Sequence, residues 1–373
     1  MDNIILSTAL AFMITFFAIP VIIQVAKDKK LFDEPDERKV HKTVIPTLGG
    51  LGIFAGFIIA CLMGTPATLA VELQYFVAAS VVIFFLGLKD DILVISASKK
   101  FVGQLIAAGI LINFAGVQIT NMHGFLGIYE ISRFGSIFLS LFTIIVITNS
   151  FNLIDGIDGL AGSLGFLTTL IFGTYFYFIG QLPYAVMAFA MTGSILSFLI
   201  YNFSPAKIFM GDTGSLLLGL INSILVIKFI NSTGGPAGFP LEASPAIGFA
   251  ILIVPLFDTL RVFGLRILDR RSPFSPDRNH VHHFLLDLGF SHRKITISCV
   301  AINIVFIAMA YFLRSLGTTM VVGILLCTAL SIISYVYYLR QRIRQTYIHP
   351  KAETEMIKTH KILGLVPESV EVD

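Results

Sequence analysis

Charge is scarce in this chain. Only 13% of its 373 residues are Asp, Glu, Lys or Arg, against roughly 25% in soluble domains. That leaves too little polar surface to cover a globule in water and excludes a soluble enzyme. Tryptophan is absent, so anchoring at a membrane interface falls to tyrosines such as Tyr75, Tyr129, Tyr184 and Tyr201. Cysteine is limited to Cys61, Cys299 and Cys327, each inside an apolar stretch and at no metal-like spacing, which excludes a disulfide framework and a zinc ribbon. What the chain has instead is apolar bulk. It is 55% hydrophobic with 34 Phe, and its 31 Gly follow no three-residue period, so disorder and collagen-like order are excluded as well.

A bilayer core about 30 Å thick needs roughly 20 apolar residues per helix. That ruler finds about eleven runs, near 4–26, 48–64, 72–88, 99–116, 134–151, 159–179, 183–202, 213–231, 245–267, 295–314 and 318–340. The expected fold is all-α, a polytopic integral membrane protein. The first run has no basic flank and no small-residue cleavage site, so it is expected to stay as a helix rather than be removed as a signal. Lys and Arg gather in alternate linkers: Lys27 to Lys42, Lys89 to Lys100, and Arg270 to Lys294. Short basic loops remain in the cytoplasm, which puts the N-terminus outside and the C-terminus inside. One membrane domain is expected over 1–340, with a polar cytoplasmic tail over 341–373.

Ionisable groups at a membrane are costly and default to functional candidates. Here they gather on the basic, cytoplasmic side. Asp90 and Asp91 end the third run in LGLKDDI; Asn149, Asn152, Asp155 and Asp158 follow in NSFNLIDGIDGLAG; Asp212 sits in FMGDTGSLLLG; and His280, His282 and His283 lie in SPFSPDRNHVHH. Singly, each has a bland reading as a solvated helix end, a structural turn, a helix cap or a topology-enforcing basic loop. Four separated clusters reaching one face is not what those readings predict. Carboxylates and amide oxygens without thiolates suit a hard cation such as Mg²⁺, which keeps waters and binds through one or two carboxylates plus substrate phosphates. Histidines and arginines beside one another suit a phosphate grip. The expected chemistry is phosphoryl transfer at the membrane surface, catalysed by positioning and charge neutralisation.

At these motifs, together with VHKTVIPTLGG and VPLFDTLRVFGLRILDRRSPFSPDRNHVHH, the sequence resembles the polyprenyl-phosphate N-acetylhexosamine-1-phosphate transferases, a glycosyltransferase family 4 group. The likeness covers roughly residues 1–340. It implies an integral-membrane enzyme that moves a sugar 1-phosphate from a UDP-N-acetylhexosamine to undecaprenyl phosphate, releasing UMP, with Mg²⁺ or in its place Mn²⁺. It also implies a bacterial inner-membrane location with the active site facing the cytoplasm. The spaced His280-Val281-His282-His283 looks like the branch acting on UDP-GlcNAc. Three consecutive histidines mark the peptidoglycan branch, which transfers phospho-MurNAc-pentapeptide and stands as the alternative. Carried over by motif, the resemblance assigns Asp212 to the metal, with Asn152 as a second metal or phosphate contact. Asp90 and Asp91 fall to the lipid phosphate and metal region, and Asp155 and Asp158 near the nucleotide. Lys42, Asn149, Arg266, His280, His282 and His283 are its substrate contacts. The partners implied are the nucleotide sugar, the polyprenyl phosphate and the bilayer, without nucleic acid; a homodimer is left open. A multi-pass transporter would place its carboxylates at mid-membrane, a CDP-alcohol phosphotransferase would need further aspartate spacing, and an aspartyl protease a second buried aspartate.

Overall fold

The structure, a computed structural model, describes residues 2–29, 45–66, 71–232, 241–270 and 279–363, with side chains as far as residue 343. Lys42, expected at the nucleotide, lies outside the described residues. Among the described residues the elements are α1 (Asp2–Asp28), α2 (Gly49–Gly64), α3 (Leu73–Ile92), α4 (Ala97–Asn113), β1 (Asn121–Phe125), β2 (Ile128–Glu130), α5 (Arg133–Ile154), α6 (Leu160–Phe178), α7 (Leu182–Asn202), α8 (Gly211–Asn231), α9 (Ser244–Ile251), α10 (Ile253–Leu268), α11 (Val281–Asp287), α12 (His292–Phe312) and α13 (Thr318–Leu363). In hydrocarbon no water satisfies the backbone, so a long apolar run must close its own hydrogen bonds as a helix. The apolar runs do so, that at 245–267 as two helices.

Among the described residues seven helices are long and apolar enough to cross a membrane, or eight if α9 and α10 count as one bent span, where the sequence led us to expect about eleven. The 16 residues of α2 reach only about 24 Å, and α3 carries Lys89, Asp90 and Asp91 in its last turn. The run at 245–267, expected as one span, is broken at Leu252 with a bend of 84°. Asn303 of α12 explains how the break is tolerated: its Nδ2 donates to the Ile251 carbonyl at 3.0 Å, and its Oδ1 accepts from the Val254 N–H at 3.3 Å. A side chain thus replaces the backbone partners that the bend removes.

The helix α8 is the axis of the bundle: 94% of its apolar window is buried, against 22% for α1 and α13 on the periphery. Ala79, Ile83 and Gly87, each four residues on, lie on the buried face of α3. A Cβ on Gly87 would stand 2.5 Å from Thr213 Cα, so only glycine lets α3 cross the start of α8 this closely. Residues 46–50 pair with 209–210, Phe209 N–H donating to the Pro46 carbonyl at 2.7 Å and Gly50 N–H to the Met210 carbonyl at 2.8 Å. The first turn of α8 is thereby held between α2 and α3.

At the opposite end of α8, Lys228 pairs with Glu72 at 2.9 Å, and the Tyr184 hydroxyl donates to the same carboxylate at 2.5 Å. The β1–β2 hairpin lies at this end. Leu126 and Gly127 turn it with φ of 52° and 78°, the left-handed pair that a tight hairpin requires. These strands were not expected from the sequence. Past residue 340, where the tail was expected to begin, α13 continues without interruption to Leu363.

Candidate active site

The site is built on the start of α8. Gly211 opens it with φ of 70°, and a Cβ there would lie 2.7 Å from both oxygens of Asp91. Across that gap Asp91 accepts from the N–H of Asp212 at 2.7 Å, the N–H of Thr213 at 3.0 Å and the Thr213 hydroxyl at 2.5 Å. Asp91 is therefore the N-terminal cap of α8, supplied from another helix, and its charge suits the helix dipole. The resemblance assigned the acidic pair to the lipid phosphate and metal region, and in the structure its two members take different partners. Adjacent helical residues point about 100° apart, and Asp90 turns the other way. One of its oxygens accepts from the Ile95 N–H at 2.8 Å, and the other pairs with Lys100 at 2.8 Å.

Lys100 also pairs with Asp212, so one ammonium bridges two carboxylates. The second oxygen of Asp212 accepts from Asn152 Nδ2 at 2.9 Å, and that amide also donates to the Ser215 hydroxyl at 3.0 Å. Asp155, in the turn after α5, is partly buried. Burial, with the charges of Asp212, Asp91 and Asp158, holds its carboxyl well above the usual carboxylate range. Asp90, Asn152, Asp155 and Asp212 are thus brought together as the sequence suggested.

Two expected contacts are drawn elsewhere. Asn149 exchanges amide hydrogen bonds with the buried Gln104, at 2.8 and 3.3 Å, and donates to the Ile145 carbonyl, fastening α4 to α5. Asp158 is buried, accepting from the Ala206 N–H at 3.1 Å and pairing with His292 at 3.2 Å, while its carbonyl accepts from Thr296. It secures the turn after α5 to α12 and to the loop before α8.

The histidines come over this site at the start of α11, His280 as its cap and His282 and His283 in its first turn. A Cβ on Gly156 would lie 2.9 Å from His282 Nε2, so glycine beside Asp155 makes room for the ring. His282 stacks on His280 with ring centres 5.7 Å apart, and lies against His283 at 4.4 Å with the two rings tilted by 46°. Burial, and next the neighbouring His283, push the His282 imidazole down to about 3, so at neutral pH it is uncharged. Val281, the residue that interrupts the histidines, lines an apolar cavity with Phe257, Cys299, Phe306 and Val336. A histidine there would bury polar nitrogens in hydrocarbon-like surroundings. Arg266 is buried in the last turn of α10 with its guanidinium 5.7 Å from the Phe263 ring.

Sequence reasoning missed three residues of this region. Lys100 was counted only as a loop charge. Gln104 and Asp258 sit inside apolar runs, where a lone polar residue is itself a signal. Asp258 holds His280 and Arg261.

Among the described residues no three His, Cys, Asp or Glu side chains are already arranged around a metal position. The donor chemistry nevertheless fits a hard cation. Asp90, Asp155 and Asp212 offer oxygens only, and one lysine is shared between Asp90 and Asp212, a donor set that suits a divalent ion.

The model of glycosyl transferase family 4 matches residues 73–230, the stretch that contains the whole acidic cluster. The decaprenyl-phosphate N-acetylglucosaminephosphotransferase of Mycobacterium leprae is 34% identical over 312 residues, covering 77% of this chain and 78% of that protein. The probable undecaprenyl-phosphate N-acetylglucosaminyl 1-phosphate transferase of Bacillus subtilis is 31% identical over 325 residues, 84% of this chain and 87% of that one. The undecaprenyl-phosphate alpha-N-acetylglucosaminyl 1-phosphate transferase of Escherichia coli is 32% identical over 277 residues, 73% of each. Identity at this level along most of both chains, with the family's stretch falling on the acidic cluster, makes this chain a member of glycosyl transferase family 4.

Proposed function

We propose that this protein transfers GlcNAc 1-phosphate from UDP-GlcNAc to undecaprenyl phosphate, at the cytoplasmic face of a bacterial inner membrane and with Mg²⁺. An oxygen of the lipid phosphate bonds to the β-phosphorus of UDP-GlcNAc while the bond from that phosphorus to the bridging oxygen breaks. The bridging oxygen departs with UMP, and the lipid keeps the new diphosphate. The second pKa of a phosphate monoester is near 6, so the attacking oxygen needs little proton removal at pH 7. The work is positioning and neutralisation.

The observation that carries this reading is the meeting of Asp90, Lys100, Asn152 and Asp212 at one end of the bundle, beneath a short helix with one histidine at its cap and two in its first turn. Mg²⁺ bound by Asp212 and Asp90, with Asn152 beside them, would neutralise the diphosphate. Lys100 releases one carboxylate and pairs with a phosphate oxygen instead. Asp91 holds Asp212 in place, and Asp155 lies near the nucleotide. Arg266, His280 and His283 hold the nucleotide phosphates, with His282 packed between the two histidines as a neutral ring. The names of the relatives support GlcNAc over phospho-MurNAc-pentapeptide, and Val281 agrees. The alternating basic linkers support eleven crossings, with the N-terminus outside and this end of α8 inside.

Purified protein supplied with undecaprenyl phosphate, Mg²⁺ and a panel of UDP-sugars should release UMP with UDP-GlcNAc. Release with UDP-MurNAc-pentapeptide alone would move the protein to the peptidoglycan branch. No release from any UDP-sugar would overturn the reading.

A further inference from the structure

His280 is held from below by a carboxylate to which the sequence reading gave no role. Asp258 lies on α10, its side chain 2% exposed. One of its oxygens meets His280 Nδ1 at 2.7 Å; the other accepts from the Val281 N–H at 3.0 Å and from Arg261 at 2.9 Å. Arg261 also donates to the Asn279 carbonyl, and its guanidinium lies 5.3 Å from the Phe284 ring. Arg340 of α13 covers the same ring at 4.4 Å and binds Asp287 at 2.6 Å. The short helix α11 is thus pinned at its start by Asp258 and at its end by Arg340.

An ionised carboxylate has no proton to give. In the 2.7 Å contact Nδ1 must therefore carry the hydrogen, which leaves Nε2 as the only nitrogen His280 can offer a ligand. We propose that Asp258 is a positioning residue: it fixes the ring and proton arrangement of His280 so that Nε2 alone faces a phosphate oxygen of the nucleotide, and it stabilises the imidazolium when that nitrogen is protonated. The logic is that of carboxylate-oriented histidines generally. The part concerning the nucleotide rests on the function proposed above; the part concerning the His280 proton does not.

The test uses the full-length protein in nanodiscs with ¹⁵N-labelled histidine, His280 being assigned by comparison with His280→Gln. The wild type should show Nδ1 protonated, and Asp258→Asn should move the proton to Nε2, because the new amide can donate to Nδ1. KM for UDP-GlcNAc should rise about 10- to 150-fold, the loss expected for one charge-assisted contact, with a smaller change in kcat. Asp258→Glu should restore most of the affinity. In the His280→Gln background Asp258→Asn should add little, since both act through one contact. A wild-type His280 with Nδ1 unprotonated would overturn the proposal even if no Asp258 variant folds. Full additivity of the two substitutions, or wild-type KM in Asp258→Asn, would overturn it as well. A protein that turns over no UDP-sugar would sink the proposed function while leaving the proton arrangement to be read from the spectrum.

Discussion

Replacing Asp91 by Ala separates two kinds of aspartate that stand side by side in the sequence. Asp91 accepts three hydrogen bonds from the first turn of α8, two from backbone N–H groups and one from the Thr213 hydroxyl. A bond to a charged group contributes about 1.5 to 3 kcal/mol, and loss of a good cap costs about 1 kcal/mol, at most about 2. Asp91 is partly buried, so water can replace some of what is lost, and the sum is discounted to about 3 kcal/mol for Asp91→Ala. Asp91→Asn keeps one acceptor oxygen and should lose about half of that. Asp90→Ala removes an ion pair and one N–H contact but leaves the α8 turn capped, so its stability loss should be clearly smaller even though transfer fails. Denaturant titration in detergent, followed by tyrosine absorbance and helical circular dichroism, measures the three variants beside one another. If Asp91→Ala unfolds at the wild-type midpoint, or Asp90→Ala is the less stable of the two, the cap assignment is wrong.

Lys100→Gln removes the cation that bridges Asp90 and Asp212; losing one phosphate contact of about 1.5 to 3 kcal/mol should slow UMP release about 10- to 150-fold, and near-wild-type kinetics would remove Lys100 from the site. Asp155 has its carboxyl raised by burial and by neighbouring carboxylates, so its proton is retained in the folded state after the unfolded chain has released it. With EDTA present, stability should therefore fall as pH rises from the ordinary carboxylate range, about 4, through the raised folded value. Asp155→Asn should flatten that fall and unfold later than wild type at pH 8, and identical pH slopes would refute the assignment. Asn303→Leu strips both partners from the break between α9 and α10; each backbone group left unsatisfied costs about 1 to 3 kcal/mol, and displacement of α10 should raise KM for UDP-GlcNAc as well as lower the unfolding midpoint. Reporters fused after Leu182 and after Asp373 should be active outside and inside respectively; an external tail would reverse the orientation.

The sequence by itself determined the class of the molecule and the sites of its chemistry. Thirteen per cent charge and long apolar runs leave a helical membrane protein as the folded outcome, since backbone satisfaction in hydrocarbon is a local demand that each run meets alone. The glycine-flanked Asp155 and Asp212 and the spaced histidines were legible because turns and ionisable residues at run ends are also local features. Only the tertiary structure decided which partner each group takes. Asp90 and Asp91 are neighbours in the chain, yet one meets Lys100 and the other caps a helix by bonding a residue 121 positions further on. Asn149 and Asn152 share a helix, yet one binds Gln104 and the other Asp212. Lys100 and Asp258 could be told from a loop charge and a stray polar residue only after α3, α8, α10 and α11 had met, and the bend at Leu252 depended on Asn303 from α12. The physical reason is one of range. Hydrophobicity and helix formation are fixed within a few residues of chain, whereas a hydrogen bond or ion pair is fixed by which helix faces cross, and that is settled by the packing of the whole bundle around α8.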